Sequence, residues 1–180
     1  MVRAKAERWF NYTPDMRIRK FLKQIIIIST LFLLANASIA QSQDVNALHE
    51  TARSFMRQGD FENAQLVLDK ALTIAPDNLD LLKDQAFVDY LKRDFSGSIE
   101  VGKKITARPD ADVQSFQILG LAYKAIAMDK ERDKMYKDAL KKFPSSGVLY
   151  SEYGELLSSA GNAAAAIKEW EKGIETDANY

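Results

Sequence analysis

A stride of 34 residues, taken four times from Val45, keeps two helix faces in register along the chain. Leu48, Leu82, Phe116 and Tyr150 fall on one another and are all large and apolar. Ala52, Ala86, Gly120 and Gly154 coincide likewise and are all small. In the second half of each stride, Leu68, Gly102, Tyr136 and Trp170 align, large in three of four; Ala71, Ile105, Ala139 and Gly173 align, small in three of four. No gap is needed. Such a period narrows the possible folds sharply: each unit is one supersecondary element too small to bury its own apolar face, and stacked copies bury it between them.

The local chemistry within one unit agrees. Leu48, Ala52 and Phe55 lie at i, i+4 and i+7, one face of a helix. Gly59-Asp60 marks a turn, a second amphipathic stretch carries Ala64, Leu68 and Ala71, and Pro76 ends it. Small residues where two helices cross let the backbones approach while larger neighbours interlock. The expected architecture is all-α, with about eight helices paired as hairpins over units 45–78, 79–112, 113–146 and 147–180.

These residues resemble the tetratricopeptide repeat, a 34-residue helix–turn–helix unit. Unit 3 matches with Phe116, Leu119, Gly120, Tyr123, Tyr136, Ala139 and Pro144, and unit 4 with Tyr150, Gly154, Gly161, Ala166 and Trp170. The resemblance covers residues 45–180. It implies a right-handed superhelical solenoid of antiparallel helix hairpins, packed through Leu48, Ala52, Phe55, Ala64, Leu68, Ala71, Ala86, Gly120, Tyr123, Tyr136, Ala139, Gly154, Ala166 and Trp170. It also implies a protein-binding groove lined by the first helix of each unit. The groove positions carry over as His49, Arg53, Met56 and Arg57; Lys83, Phe87 and Tyr90; Gln117, Leu121 and Lys124; and Ser151, Glu155 and Ser158. Basic groups beside aromatic and aliphatic surface suit an acidic or C-terminal peptide with apolar anchors. Family members that grip chaperone C-terminal carboxylates use an Asn with several Lys or Arg. Here Arg53 holds the Asn position and Gln114 and Ile118 hold basic ones, so that specialised role does not carry over.

Three departures from the pattern carry expectations of their own. Asp89 occupies the position of Phe55 and Tyr123. Arg132 replaces the small residue represented by Ala64 and Ala166, and its turn, Ala127-Met128-Asp129, lacks the glycine of Gly59 and Gly161. A looser crossing is expected there, with the Arg132 head reaching solvent along its aliphatic stem. The last helix, near Ala163 to Thr176, carries Ile167, Trp170 and Ile174 without a polar cap behind them. That face is expected to meet a partner, a second copy or a further repeat.

Charge and composition set the remaining bounds. Of 25 basic and 25 acidic side chains, seven basic but only two acidic ones lie in residues 1–40, which leaves the repeat region net acidic. An acidic body gains nothing from phosphates, so nucleic acid is disfavoured as a partner. With no cysteine and one histidine, His49, thiolate chemistry and His-rich metal sites are out. Carboxylates such as Asp129, Glu131 and Asp133 alternate with Lys130, Arg132 and Lys134, as on a solvated helix face. Asp77, Asp110 and Ser145 or Ser146 precede helices, where side-chain oxygens cap free amides. No catalytic residue, metal or cofactor is expected.

Ahead of the repeats, Arg17, Arg19, Lys20 and Lys23 precede an apolar run from Ile25 to Ala35, followed by small residues at Ser38 and Ala40. This is the pattern of a secretory signal peptide over residues 1–40, cut after Ala40, with residues 1–15 a start-site extension ahead of Met16. Residues 41–44 then form a short linker. The run falls below the roughly 17–25 apolar residues a spanning helix needs. The expected function is a non-catalytic scaffold in the periplasm or cell envelope of a bacterium. The alternative is the same module tethered to the membrane by residues 21–40, and an envelope hydrolase ranks below both.

Overall fold

The computed structural model describes residues 23–27 and 44–176. Residues 23–27 are helical, with Ile25, Ile26 and Ile27 exposed. The signal-peptide and linker expectations lie almost wholly outside the described residues. The repeat unit begins at Val45. Its helices are α1 (44–58), α2 (Phe61–Ile74), α3 (Leu79–Leu91), α4 (Phe95–Thr106), α5 (Val113–Ala125), α6 (Asp129–Lys142), α7 (Gly147–Ser159) and α8 (Ala163–Thr176). No strand occurs among the described residues.

The hairpin turns repeat as strictly as the sequence does. Gly59, Arg93, Ala127 and Gly161 stand 34 residues apart, and all four have positive φ, at 75°, 66°, 56° and 80°. Only two of them are glycine, so Arg93 and Ala127 hold a left-handed conformation that costs an L-residue roughly 1–2 kcal/mol. The next residue in three of the turns caps the following helix: Asp60 accepts from the Asn63 amide, Asp94 from Gly97 and Asn162 from Ala165. Met128 stands in the same place before α6 and makes no side-chain cap. The first helices are capped by Asn78 and Asp112, one and two residues later than Asp77 and Asp110. Asp110 is instead held by Arg108 at 2.8 Å, and Ser146 precedes α7 without a side-chain cap bond.

From α2 onward each helix packs on its neighbours in the chain, and α3 also on α5. Two apolar clusters result. One gathers Val45, Ala52, Ala64, Leu68, Ala71, Leu81 and Val88 from α1–α3, and the larger draws on α4–α7 around Phe116, Leu119, Tyr136 and Leu149. The packing positions expected from the repeat are buried or half-buried, except that Trp170 stays 38% exposed.

The small positions explain themselves in contact terms. A Cβ on Gly120 would lie 2.7 Å from the Tyr136 hydroxyl, and one on Gly154 would overlap the Trp170 indole. Where the facing residue is Leu68, Ala52 fits. The first helix gives up a methyl where the second helix carries an aromatic ring.

Arg132 departs from expectation. Its side chain is 4% exposed, and its guanidinium lies 5.6 Å over the Tyr136 ring and 3.8 Å from Glu155. The head does not follow its stem to water, because carboxylates on α7 draw it toward the first-helix face instead.

Candidate functional site

The expected groove residues lie on the first helices, α1, α3, α5 and α7, and the structure gives most of the charged and polar ones on α1, α3 and α5 partners one repeat further on. Three polar nodes result, one at each junction between units. At the first, Asp84 of α3 receives both His49 and Arg53 of α1, each at 2.7 Å. The hydrogen bond to Asp84 raises the Arg53 pKa. At the second, Lys83 of α3 reaches Asp112, the cap of α5, at 2.6 Å and Asp80 of its own helix at 2.8 Å. Burial would lower the Lys83 pKa, but the two carboxylates outweigh it and hold it raised. Burial acts on Asp112 in the opposite sense, and hydrogen bonds from Lys83 and Ser115 overcome it, so its pKa is lowered.

The third node is the largest. Gln117 of α5 donates to Glu152 of α7 at 2.8 Å, and the Tyr136 hydroxyl donates to the other oxygen at 3.2 Å. Burial raises the Glu152 pKa against those two bonds. Lys124 pairs with Glu155, whose pKa that hydrogen bond lowers, and Arg132 completes the group from α6. The Arg132 Nε is buried without a hydrogen-bond partner.

The remaining groove candidates form the apolar part of this face. Phe87 and Tyr90 of α3 are half-buried and stacked, ring centroids 6.1 Å apart. Met56 packs against the α1–α3 cluster, Leu121 is 37% exposed, and Arg57 is exposed with no ion pair among the described residues. At the far end, Ile167, Trp170 and Ile174 are 50%, 38% and 65% exposed. Trp170 donates from Nε1 to the Ser151 carbonyl at 3.1 Å, beside a cleft of 490 Å³ bounded by Gly147, Ser151 and Ile174.

Sequence reasoning missed the acceptors Asp84, Asp112 and Glu152. A signal was present: Asp84 and Glu152 each lie 35 residues after a groove donor, His49 and Gln117. Paired cations of this kind are worth little individually when exposed, about 0–1 kcal/mol. Their effect here is orientation, since each fixes one first helix against the next and pins side chains a partner would meet. No group of acidic, His or Cys residues suited to holding a metal occurs among the described residues.

The tetratricopeptide-repeat family model matches residues 45–78. Human tetratricopeptide repeat protein 21B is 30% identical over 137 residues, covering 75% of this chain and 10% of that protein, so the chain spans about a tenth of its length. Solved structures share the fold, among them the two that follow. The thermophilic TPR protein TTC0263 of Thermus thermophilus superposes with TM-score 0.64 at 17% identity, over 73% of this chain and 74% of that one. MamA (41-end) from Desulfovibrio magneticus RS-1 superposes with TM-score 0.63 at 19% identity, over 73% and 75%. Repeats of this family mediate protein–protein interaction. By repeat period, family match and fold, this chain carries a tetratricopeptide repeat at residues 45–78 within a region that has the fold of tetratricopeptide-repeat proteins.

Proposed function

We propose that the chain is a non-catalytic interaction module of the bacterial cell envelope whose first-helix face takes a peptide or protein partner. The observation that carries this reading is the stacked Phe87–Tyr90 plate, half-buried among first helices held in register by three polar nodes. A rigid aromatic anchor surrounded by oriented polar groups is how interfaces concentrate their affinity. Because Arg53, Lys83 and Lys124 already face carboxylates of the chain, affinity comes chiefly from the apolar anchors, and charge sets register. Lys83 is a poor choice for charge reversal, since removing a buried cation from two carboxylates damages the fold itself. The informative variant is Phe87→Ala combined with Leu121→Ala, assayed by crosslinking pull-down from the native envelope. Loss of the captured partner with helical content intact is expected; undiminished capture overturns the reading.

Export by residues 1–40 belongs to the same proposal and rests on the basic, apolar and small-residue pattern around Ile25 to Ala40. Mass spectrometry of the envelope form is expected to begin at Gln41. A form that retains residues 21–40 and stays with the membrane is the tethered alternative. The exposed Ile167–Trp170–Ile174 stripe favours self-association as a second contact. Sedimentation showing a strict monomer with fully water-exposed Trp170 emission overturns that part.

A further inference from the structure

The second helices form a surface that the proposed function leaves unused. Between α4 and α6, with α5 beneath, lies a cleft of 570 Å³ floored by Phe116, Leu119 and Met135 and rimmed by Lys103 and Lys134. One repeat further on, between α6 and α8 over α7, a cleft of 420 Å³ occupies the equivalent place. Lys137 there corresponds to Lys103, Tyr150 to Phe116 and Tyr153 to Leu119. The chain thus presents the same cleft twice, with different electrostatics in each copy.

In the second cleft every lysine is already neutralised. Lys137 pairs with Asp133 at 2.7 Å, Lys141 with Asp138 at 2.8 Å and Lys172 with Glu169 at 2.9 Å. The first cleft differs. Lys103 and Lys134 make no ion pair among the described residues, and the Lys103 ammonium stands 6.0 Å over the Tyr123 ring. Lys142 also lines that cleft and donates to the Arg108 carbonyl at 3.0 Å; of the carboxylates there, Asp138 is paired with Lys141, and Glu131 remains beside the three amines. The repeat region has more carboxylates than basic groups, and the first cleft nonetheless sets amines without ion-pair partners over an apolar floor.

We propose that the α4–α6 cleft docks an acidic peptide segment of a partner protein, with a carboxylate between Lys103 and Lys134 and an apolar side chain on the Phe116–Leu119–Met135 floor. Charge complementarity selects the acid and the floor selects the anchor, so an anion with no apolar group satisfies half of the site. The surface is independent of the first-helix face, and the two together let one module hold two partners.

The test is fluorescence-anisotropy titration of the full chain with a labelled short peptide of Glu residues flanking Leu. Two control peptides accompany it, one with Gln for Glu and one with Ala for Leu. Lys103→Glu and Lys134→Glu each weaken binding by about tenfold or more, and both control peptides bind correspondingly worse. Lys137→Glu, at the equivalent place in the neutralised cleft, changes affinity by less than about twofold. All three lysines are exposed, and circular dichroism checks that each variant stays folded. The proposal is overturned if Lys137→Glu weakens binding as much as Lys103→Glu. It is equally overturned if the Ala control or inorganic polyphosphate binds as tightly as the Leu peptide, which marks a general anion surface.

Discussion

At the scale of single residues, Asp89 stands out because it occupies a position that other units give to Phe55 and Tyr123. Its side chain lies in a 6% exposed residue, where burial, then the charge of Asp94, push its pKa up to about 6. Between about pH 4 and pH 6 the folded chain therefore holds a proton that the unfolded chain has released. Stability from this group is greatest below the ordinary carboxylate pKa, falls as pH rises through that window and is level above it. The shift of about two units corresponds to at most about 3 kcal/mol. Asp89→Asn is expected to raise stability at pH 7 by about 1–3 kcal/mol and to flatten the difference curve between pH 4 and 6. Urea unfolding of both proteins across that range checks it; parallel curves for the two would show that Asp89 is charged without penalty. The substituted position was plain in the sequence. Its consequence was not, because the raised pKa depends on how deeply α3 is buried and on Asp94 facing it across a turn.

At the scale of helices, pairing across each hairpin is a matter of shared volume. Leu68 faces Ala52, whereas Tyr136 and Trp170 require Gly120 and Gly154. Gly120→Ala improves intrinsic helix propensity by about 1 kcal/mol yet is expected to destabilise the protein by about 1–3 kcal/mol, because the new methyl meets the fully buried Tyr136. Adding Tyr136→Leu recreates the Ala52–Leu68 pairing, and a double-mutant cycle is expected to show favourable coupling of about 1 kcal/mol or more. Additive effects would mean that the two positions do not share that space. The small and large positions themselves were legible from their 34-residue recurrence, and so were the hairpins. The caps were less so. Asn78 and Asp112 stand beside equally suitable oxygens at Asp77 and Asp110, and only backbone geometry chooses between them. Arg132 misled for a related reason: a long side chain in a small-residue slot is expected to reach for water, unless carboxylates of the next unit attract it inward.

Across the whole repeat region, burial is uneven. Unit 3, with Tyr136 fully buried and most of the larger apolar cluster, is the best packed, while α8 buries only Ala166 and Gly173. Hydrogen exchange is expected to protect α5 and α6 most and α8 least, the reverse of the looseness that Arg132 suggested from sequence. Fastest exchange in α5 and α6 would contradict the packing described. The recurring face was readable from the sequence because it repeats; the nodes were harder to read because the first and third share a 35-residue donor–acceptor spacing while the second runs from Lys83 to a helix cap, and each is built from different side chains. That difference makes neighbour identity part of the fold. Any other unit placed after unit 3 would set Arg53, Phe87 or Leu121 where Glu155 now stands, leaving the buried Arg132 without its nearest carboxylate. The turns would tolerate shuffling, since every unit has the same length. The third junction would not. Lengthening this protein by duplication is therefore easy ahead of unit 3 and costly directly behind it, so unit 4 travels with unit 3 as one heritable block.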